Sequence, residues 1–175
     1  MSFGEALEKW HDFYILVGTA GATLVALLFV AVSLGTGYLT AERAEATRTF
    51  FSPVVVHFAV VFFLACIALV PGHRPWFFAA LIGISGLVGL CVAGYTAVKF
   101  LRRYRTPYVS DHFAYMLLPG AAYCALLAAA VLAWRGNDNA LDVLGGALLL
   151  LLLVNIRNAW DLMLSMVRRH ADPPR

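Results

Sequence analysis

The sequence predicts an all-α membrane protein, a bundle of five transmembrane helices that forms one domain over residues 1–175. Apolar residues make up 62% of the chain and charged residues 13%, whereas soluble domains hold roughly 45–50% and about 25%. The apolar residues also form four clear runs of about 20 residues and a fifth that polar residues interrupt, and about 20 residues is the length at which an α-helix crosses a bilayer.

The five predicted spans are separated by short polar or charged segments, and they cover residues 13–38, 53–70, 76–98, 112–134 and 141–167. The first span follows Glu5, Glu8 and Asp12 and is longer than the apolar core of a secretory signal peptide, so we interpret it as a retained membrane helix. Pro53 suits the first turn of the second span, and Pro71 ends that span. The short turn that follows predicts that spans two and three are antiparallel neighbours.

The positive charges predict how the bundle is oriented. With five spans, nine Lys and Arg residues lie on the side of the carboxyl terminus and three on the other side. Because cytoplasmic loops retain positive charge, we expect the amino terminus outside and the carboxyl terminus in the cytoplasm. The predicted partner is therefore the lipid bilayer of a cell inner membrane. Nucleic acid is disfavoured, since these charges cluster between apolar runs.

A stripe of polar side chains interrupts the fifth span. Asn155, Arg157, Asn158 and Asp161 lie on an arc of roughly 160° at 100° per residue. An ionised residue that faces lipid near mid-bilayer costs at least about 2.5–3.5 kcal/mol, so Arg157 and Asp161 are expected to face the bundle interior, pair, or line water. Two interpretations stay open: a salt bridge that only locks helix packing, and a role in a pathway.

Two histidines extend this candidate intramembrane polar site. His57 lies one turn inside the second span and His112 opens the fourth, on the same predicted side of the membrane. A polar cavity open to the cytoplasm is one hypothesis, and ordinary hydrogen bonds to neighbouring carbonyl groups are the other. We predict no cofactor and no metal, because neither a four-ligand zinc site nor a haem motif accompanies the histidines.

Small residues indicate where helices approach each other closely. They recur along one side of spans one and three, at Gly18, Ala22, Ala26, Gly83, Gly86, Gly89 and Gly94. We favour packing within the chain over the alternative, a homo-oligomer interface.

The first two spans resemble those of a family of small multi-pass proteins of bacterial inner membranes. The matching features are Trp10-His11-Asp12-Phe13-Tyr14, the apolar stretch VGTAGATLVALLFVAVSL over residues 17–34, Ser52-Pro53 and Pro71-Gly72. The resemblance covers residues 1–75. Some relatives are labelled as modulators of a membrane-bound ATP-dependent protease, and the resemblance implies no catalytic residues.

The polar stripe decides our leading functional hypothesis, a small channel or transport-type protein. The alternative is a non-transporting accessory or regulatory partner of another membrane protein. An enzyme or electron carrier that uses His57 and His112 is the least favoured class, since the chain has no phosphate loop, nucleophile elbow or H-E-x-x-H pattern.

Overall fold

The computed structural model describes residues 3–35, 41–72, 74–103 and 116–171, and all the regular elements within these ranges are helical. The predicted all-α fold is therefore confirmed. The helices, in chain order, are α1 (Phe3–Lys9), α2 (His11–Gly35), α3 (Ala41–Leu69), α4 (Pro75–Arg103), α5 (Leu118–Trp134) and α6 (Ala140–Ala171).

The lengths of the apolar stretches divide these helices into two groups. Three helices, α2, α4 and α6, are long and apolar enough to cross a membrane, over His11–Ala31, Pro75–Lys99 and Ala140–Asp161. Two shorter apolar stretches, Pro53–Leu69 and Leu118–Trp134, belong to α3 and α5.

The prediction of five spans thus holds for three helices in the described part of the chain. The first turns of α3 carry Glu42, Arg43, Glu45 and Arg48, and its apolar stretch covers Pro53–Leu69. The predicted start of the fourth span, at residue 112, lies outside the described residues.

Two short turns connect the helices into antiparallel hairpins. One joins α3 to α4, and the other joins α5 to α6. Each contains a glycine with positive φ, Gly72 at 76° and Gly136 at 67°, which is the left-handed conformation that commonly ends a helix. In the second turn the Asn139 backbone N–H donates to Asn137 Oδ1 at 2.9 Å. We call the end of the bundle that holds both turns the hairpin end.

The core lies between α3 and α6, each of which packs against three other helices. The largest side chains that are almost fully buried are Tyr14, Tyr123, Phe58, Phe78, Leu64 and Ile82. The outer surface is also apolar, with exposed Leu16, Phe29, Ile84, Leu87 and Leu153. A bundle that is apolar inside and outside is suited to lipid as its solvent.

Glycines allow α4 to approach α5 closely. A Cβ at Gly83 would lie 3.5 Å from the Ala130 Cβ, and one at Gly86 would lie 2.9 Å from a methyl carbon of Leu127. At Gly89 a Cβ would overlap the ring of Tyr123. On α2, a Cβ at Gly18 would likewise lie close to the Ala65 Cβ of α3. These small residues therefore serve packing within the chain, while Ala22 and Ala26 face outward.

We predict that Gly89→Ala destabilises the protein, because the added methyl group displaces the Tyr123 ring, and overpacking of this kind costs about 1–3 kcal/mol. Gly94→Ala is the matched control: it lies on the same helix and nothing lies within 4 Å of its added Cβ. Unfolding in mixed detergent micelles measures both variants. Equal stability of the two variants would show that the Tyr123 ring does not pack against Gly89.

Candidate functional site

Three polar side chains lie at a similar depth in the bundle core. Their distances from the hairpin end follow from the helical rise of 1.5 Å per residue. His57 lies about 18 Å from the end of α3, Tyr123 about 17 Å from the end of α5 and Asn155 about 23 Å from the start of α6. We call His57, Tyr123 and Asn155 the polar layer.

A hydrogen bond between His57 and Tyr123 links α3 to α5. His57 Nδ1 and the Tyr123 hydroxyl oxygen are 2.5 Å apart, although the residues are 66 positions apart in the chain. His57 is 4% exposed and Tyr123 is fully buried. Either the hydroxyl donates to Nδ1 or a protonated Nδ1 donates to the hydroxyl oxygen, and the tautomer decides which. Each of the two polar atoms thus has its hydrogen-bond partner inside the bundle.

Gly89 of α4 fixes where the tyrosine ring lies, because the ring occupies the space that a larger residue at this position would fill. The contact brings the hydroxyl group across the bundle towards α3. Three helices, α3, α4 and α5, therefore build this part of the site together.

Asn155 joins α6 to the same layer. Its Nδ2 donates to the Val54 carbonyl oxygen at 3.5 Å, and Val54 precedes His57 by about one helical turn. The Asn155 side chain is fully buried, and its Oδ1 has no hydrogen-bond partner among the described residues. A buried acceptor without a partner costs about 1–3 kcal/mol. Asn158, close to one turn further along α6, is buried as well.

Arg157 and Asp161 do not belong to this interior layer. Arg157 Nη1 lies 3.4 Å from Asp161 Oδ2, and the two side chains are 42% and 38% exposed. Of the three arrangements expected for these residues, this geometry corresponds to the pair, which lies outside the interior that holds Asn155. At 100° per residue Arg157 points about 160° away from Asn155, and α6 buries only one of these two sides.

Aromatic side chains mark two levels on the outer surface. Trp76 and Trp134 are exposed at the hairpin end, and Tyr95 and Trp160 are 69% and 65% exposed towards the other end. Trp76 and Tyr95 are separated by about 28 Å along α4, close to the roughly 30 Å of a bilayer core. Tryptophan and tyrosine are enriched at membrane interfaces. Asp161 follows Trp160 directly, so the ion pair lies near such a boundary, where ions are tolerated better than at mid-bilayer.

The remaining predicted site residue, His112, lies outside the described residues. Within the described ranges, no group of three or more His, Cys, Asp or Glu residues has a geometry that could hold a metal ion. Cys66, Cys91 and Cys124 are free and exposed on the outer surface.

Sequence reasoning missed Tyr123. Its one indication in the sequence is a hydroxyl-bearing residue amid the alanines and leucines of α5.

Comparisons of this chain with protein-family models, with curated proteins and with solved structures found no match. The polar layer and the outward ion pair are therefore the features from which a function can be inferred.

We predict that Arg157 and Asp161 are coupled only weakly. Because both side chains are partly exposed, the coupling energy between Arg157→Gln and Asp161→Asn is expected to resemble that of surface pairs, about 0.2–1 kcal/mol. A double-mutant cycle of unfolding in mixed micelles measures it. A coupling of about 3–5 kcal/mol, the cost of breaking a buried pair, would show instead that lipid or another protein desolvates the pair.

Proposed function

We propose that this chain is a small channel or transport-type protein and that its pathway passes the polar layer. The observation that carries the proposal is the hydrogen-bonded His57–Tyr123 pair beside Asn155, whose buried Oδ1 lacks a partner in the described structure. Polar groups at membrane depth are costly, and in membrane proteins they mark substrate and ion pathways. Transporters commonly place their binding sites near the bilayer midplane.

A purely structural role fits this layer less well. In buried polar networks that serve only packing most members are hydrogen-bonded, and a leucine would cost less than an amide with an unpaired oxygen. The fully buried position 155 nevertheless holds an amide, Asn155. This favours a role in which the free acceptor meets another molecule.

The proposed topology has five crossings, with α3 and α5 added to the three long helices. Their apolar stretches of 17 residues rise about 26 Å, at the lower limit of what spans a bilayer. The two hairpins place α3 antiparallel to α4 and α5 antiparallel to α6. The distance between the two levels of exposed Trp and Tyr side chains fits a bilayer of ordinary thickness. We propose an inner membrane, as the resemblance of the first two spans implies, and from the distribution of positive charge we propose the amino terminus outside and the carboxyl terminus in the cytoplasm.

The outward face of α6 favours a second candidate function, an accessory or regulatory partner of another membrane protein. Exposed Leu153, Ile156 and Trp160 lie on this face, flanked by Arg157 and its partner Asp161. A partner helix with complementary charges would cover the ion pair. In that role the polar layer would only fix how the helices pack.

Flux measurements in liposomes that contain the purified full-length chain separate the two functions. We expect the wild type to raise the permeability to a small ion or polar solute above that of empty liposomes. Tyr123→Phe keeps the ring against Gly89 but removes the hydroxyl. Because this variant loses one hydrogen bond of about 1 kcal/mol, we expect its flux to be roughly fivefold lower than that of the wild type.

Tyr14→Phe is the matched control for this experiment, because it removes an equally buried hydroxyl near the hairpin end, away from the polar layer. Its flux is expected to equal that of the wild type. Wild-type flux no higher than in empty liposomes contradicts the transport proposal. A fall of the same size in both tyrosine variants contradicts a pathway through the polar layer.

A further inference from the structure

We infer that the polar layer binds a small neutral molecule that donates a hydrogen bond, of the size of water or ammonia, and that it does not bind an ion. The inference rests on the proposed function for the pathway, but the binding itself can be measured without any transport. Three features of the layer lead to it.

The first feature is the geometry of the Asn155 amide. Its Nδ2 is already committed to the Val54 carbonyl oxygen, on the next helix. This long contact directs Nδ2 towards Val54 and leaves Oδ1, an acceptor, unpaired among the described residues. Exchanging the two amide atoms would place two acceptors against each other, so the assignment is the only one that makes a hydrogen bond here. A donor is what the site lacks.

The second feature is the hydrogen bond between His57 and Tyr123, which leaves the other ring nitrogen, Nε2, as the second polar atom of the imidazole. In the neutral ring Nε2 is a donor when Nδ1 accepts from the hydroxyl, and an acceptor when Nδ1 donates. The first tautomer suits a ligand that both donates and accepts, and the second suits one that donates. Asn155 requires a donor in either case.

The third feature is the absence of charge in the layer as far as the structure describes it. Arg157 and Asp161 belong to α6 but face outward, where they pair with each other. Moving an ion into a dry core without a counter-charge costs several kcal/mol, whereas a neutral polar molecule loses only hydrogen bonds that the layer can replace. This difference favours neutral ligands.

The packing around the layer sets the size of the ligand. Phe58, Leu126 and Leu151 adjoin the layer along their helices and are almost fully buried, and the Tyr123 ring lies directly on Gly89. A molecule of one heavy atom adds two to four hydrogen bonds in such a place. We therefore infer a ligand of one heavy atom.

The test is solid-state NMR of the full-length protein in liposomes, with ¹⁵N- and ¹³C-labelled asparagine and Asn155→Leu to assign the signals. If water is the ligand, we expect magnetisation to pass from water to the Asn155 carboxamide. If ammonia is the ligand, we expect added ammonia to shift the ¹³C resonance of that carboxamide. Exposed Asn137 is the positive control. An Asn155 signal with no water transfer and no shift with ammonia overturns the inference, whatever the flux results are.

Permeability measurements then distinguish this inference from the proposed function. Osmotic shrinkage reports water, an ammonium pulse reports ammonia, and conductance reports sodium, potassium and chloride. Neutral permeability that Asn155→Leu lowers several-fold supports both proposals. An ion conductance that the same change abolishes keeps the pathway but overturns the neutral ligand. Water contact at Asn155 without any flux keeps the ligand and contradicts transport.

Discussion

The structure depends on one constraint, which is that polar groups in the core of a lipid-facing bundle are costly unless they find hydrogen-bond partners there. His57 and Tyr123 meet this constraint through a hydrogen bond between helices that are far apart in the chain. The bond fixes how α3 and α5 lie relative to each other, and Gly89 fixes α4 against both. A slip of α5 by one residue would turn the hydroxyl away by 100° and leave two buried polar groups unpaired. The polar layer thus specifies the arrangement of four helices as well as forming the candidate site.

The same constraint explains why the two sides of α6 differ. Asn155 and Asn158 face the core, where neutral amides can be accommodated by backbone carbonyl groups and by a bound donor. Arg157 and Asp161 face outward near the level of Trp160, where each offsets the charge of the other and the head groups of a bilayer are within reach. The charged groups lie on the outward side of α6 and the neutral amides lie on its buried side, which is the division that desolvation costs favour.

Much of the fold could be predicted from the sequence, because long apolar runs and turn residues are local features. The hairpin turns at Gly72 and Gly136 and the helical nature of every described segment follow from them. The bond between His57 and Tyr123 could not be predicted, since it joins positions 66 residues apart and depends on how α4, which packs against both helices, positions α5 relative to α3. The division of the polar residues of α6 also depends on its neighbours, because an arc of roughly 160° covers nearly half of a helix. The sequence placed Asn155 and Arg157 on one polar stripe and left open whether the charged residue faces the interior, pairs or lines water; only the packing of α6 against its neighbours separates the two.

The hydrogen bond between His57 and Tyr123 is the central claim, and ¹⁵N NMR of the His57 ring in lipid bilayers tests it most directly. The chemical shift of each ring nitrogen reports whether that nitrogen donates or accepts a hydrogen bond. If the bond exists, Tyr123→Phe changes the Nδ1 resonance of His57, while Tyr14→Phe leaves both ring nitrogens as they are in the wild type. If the ring nitrogens of His57 give the same resonances with and without the Tyr123 hydroxyl, the two side chains do not meet, and the polar layer does not exist in the form described.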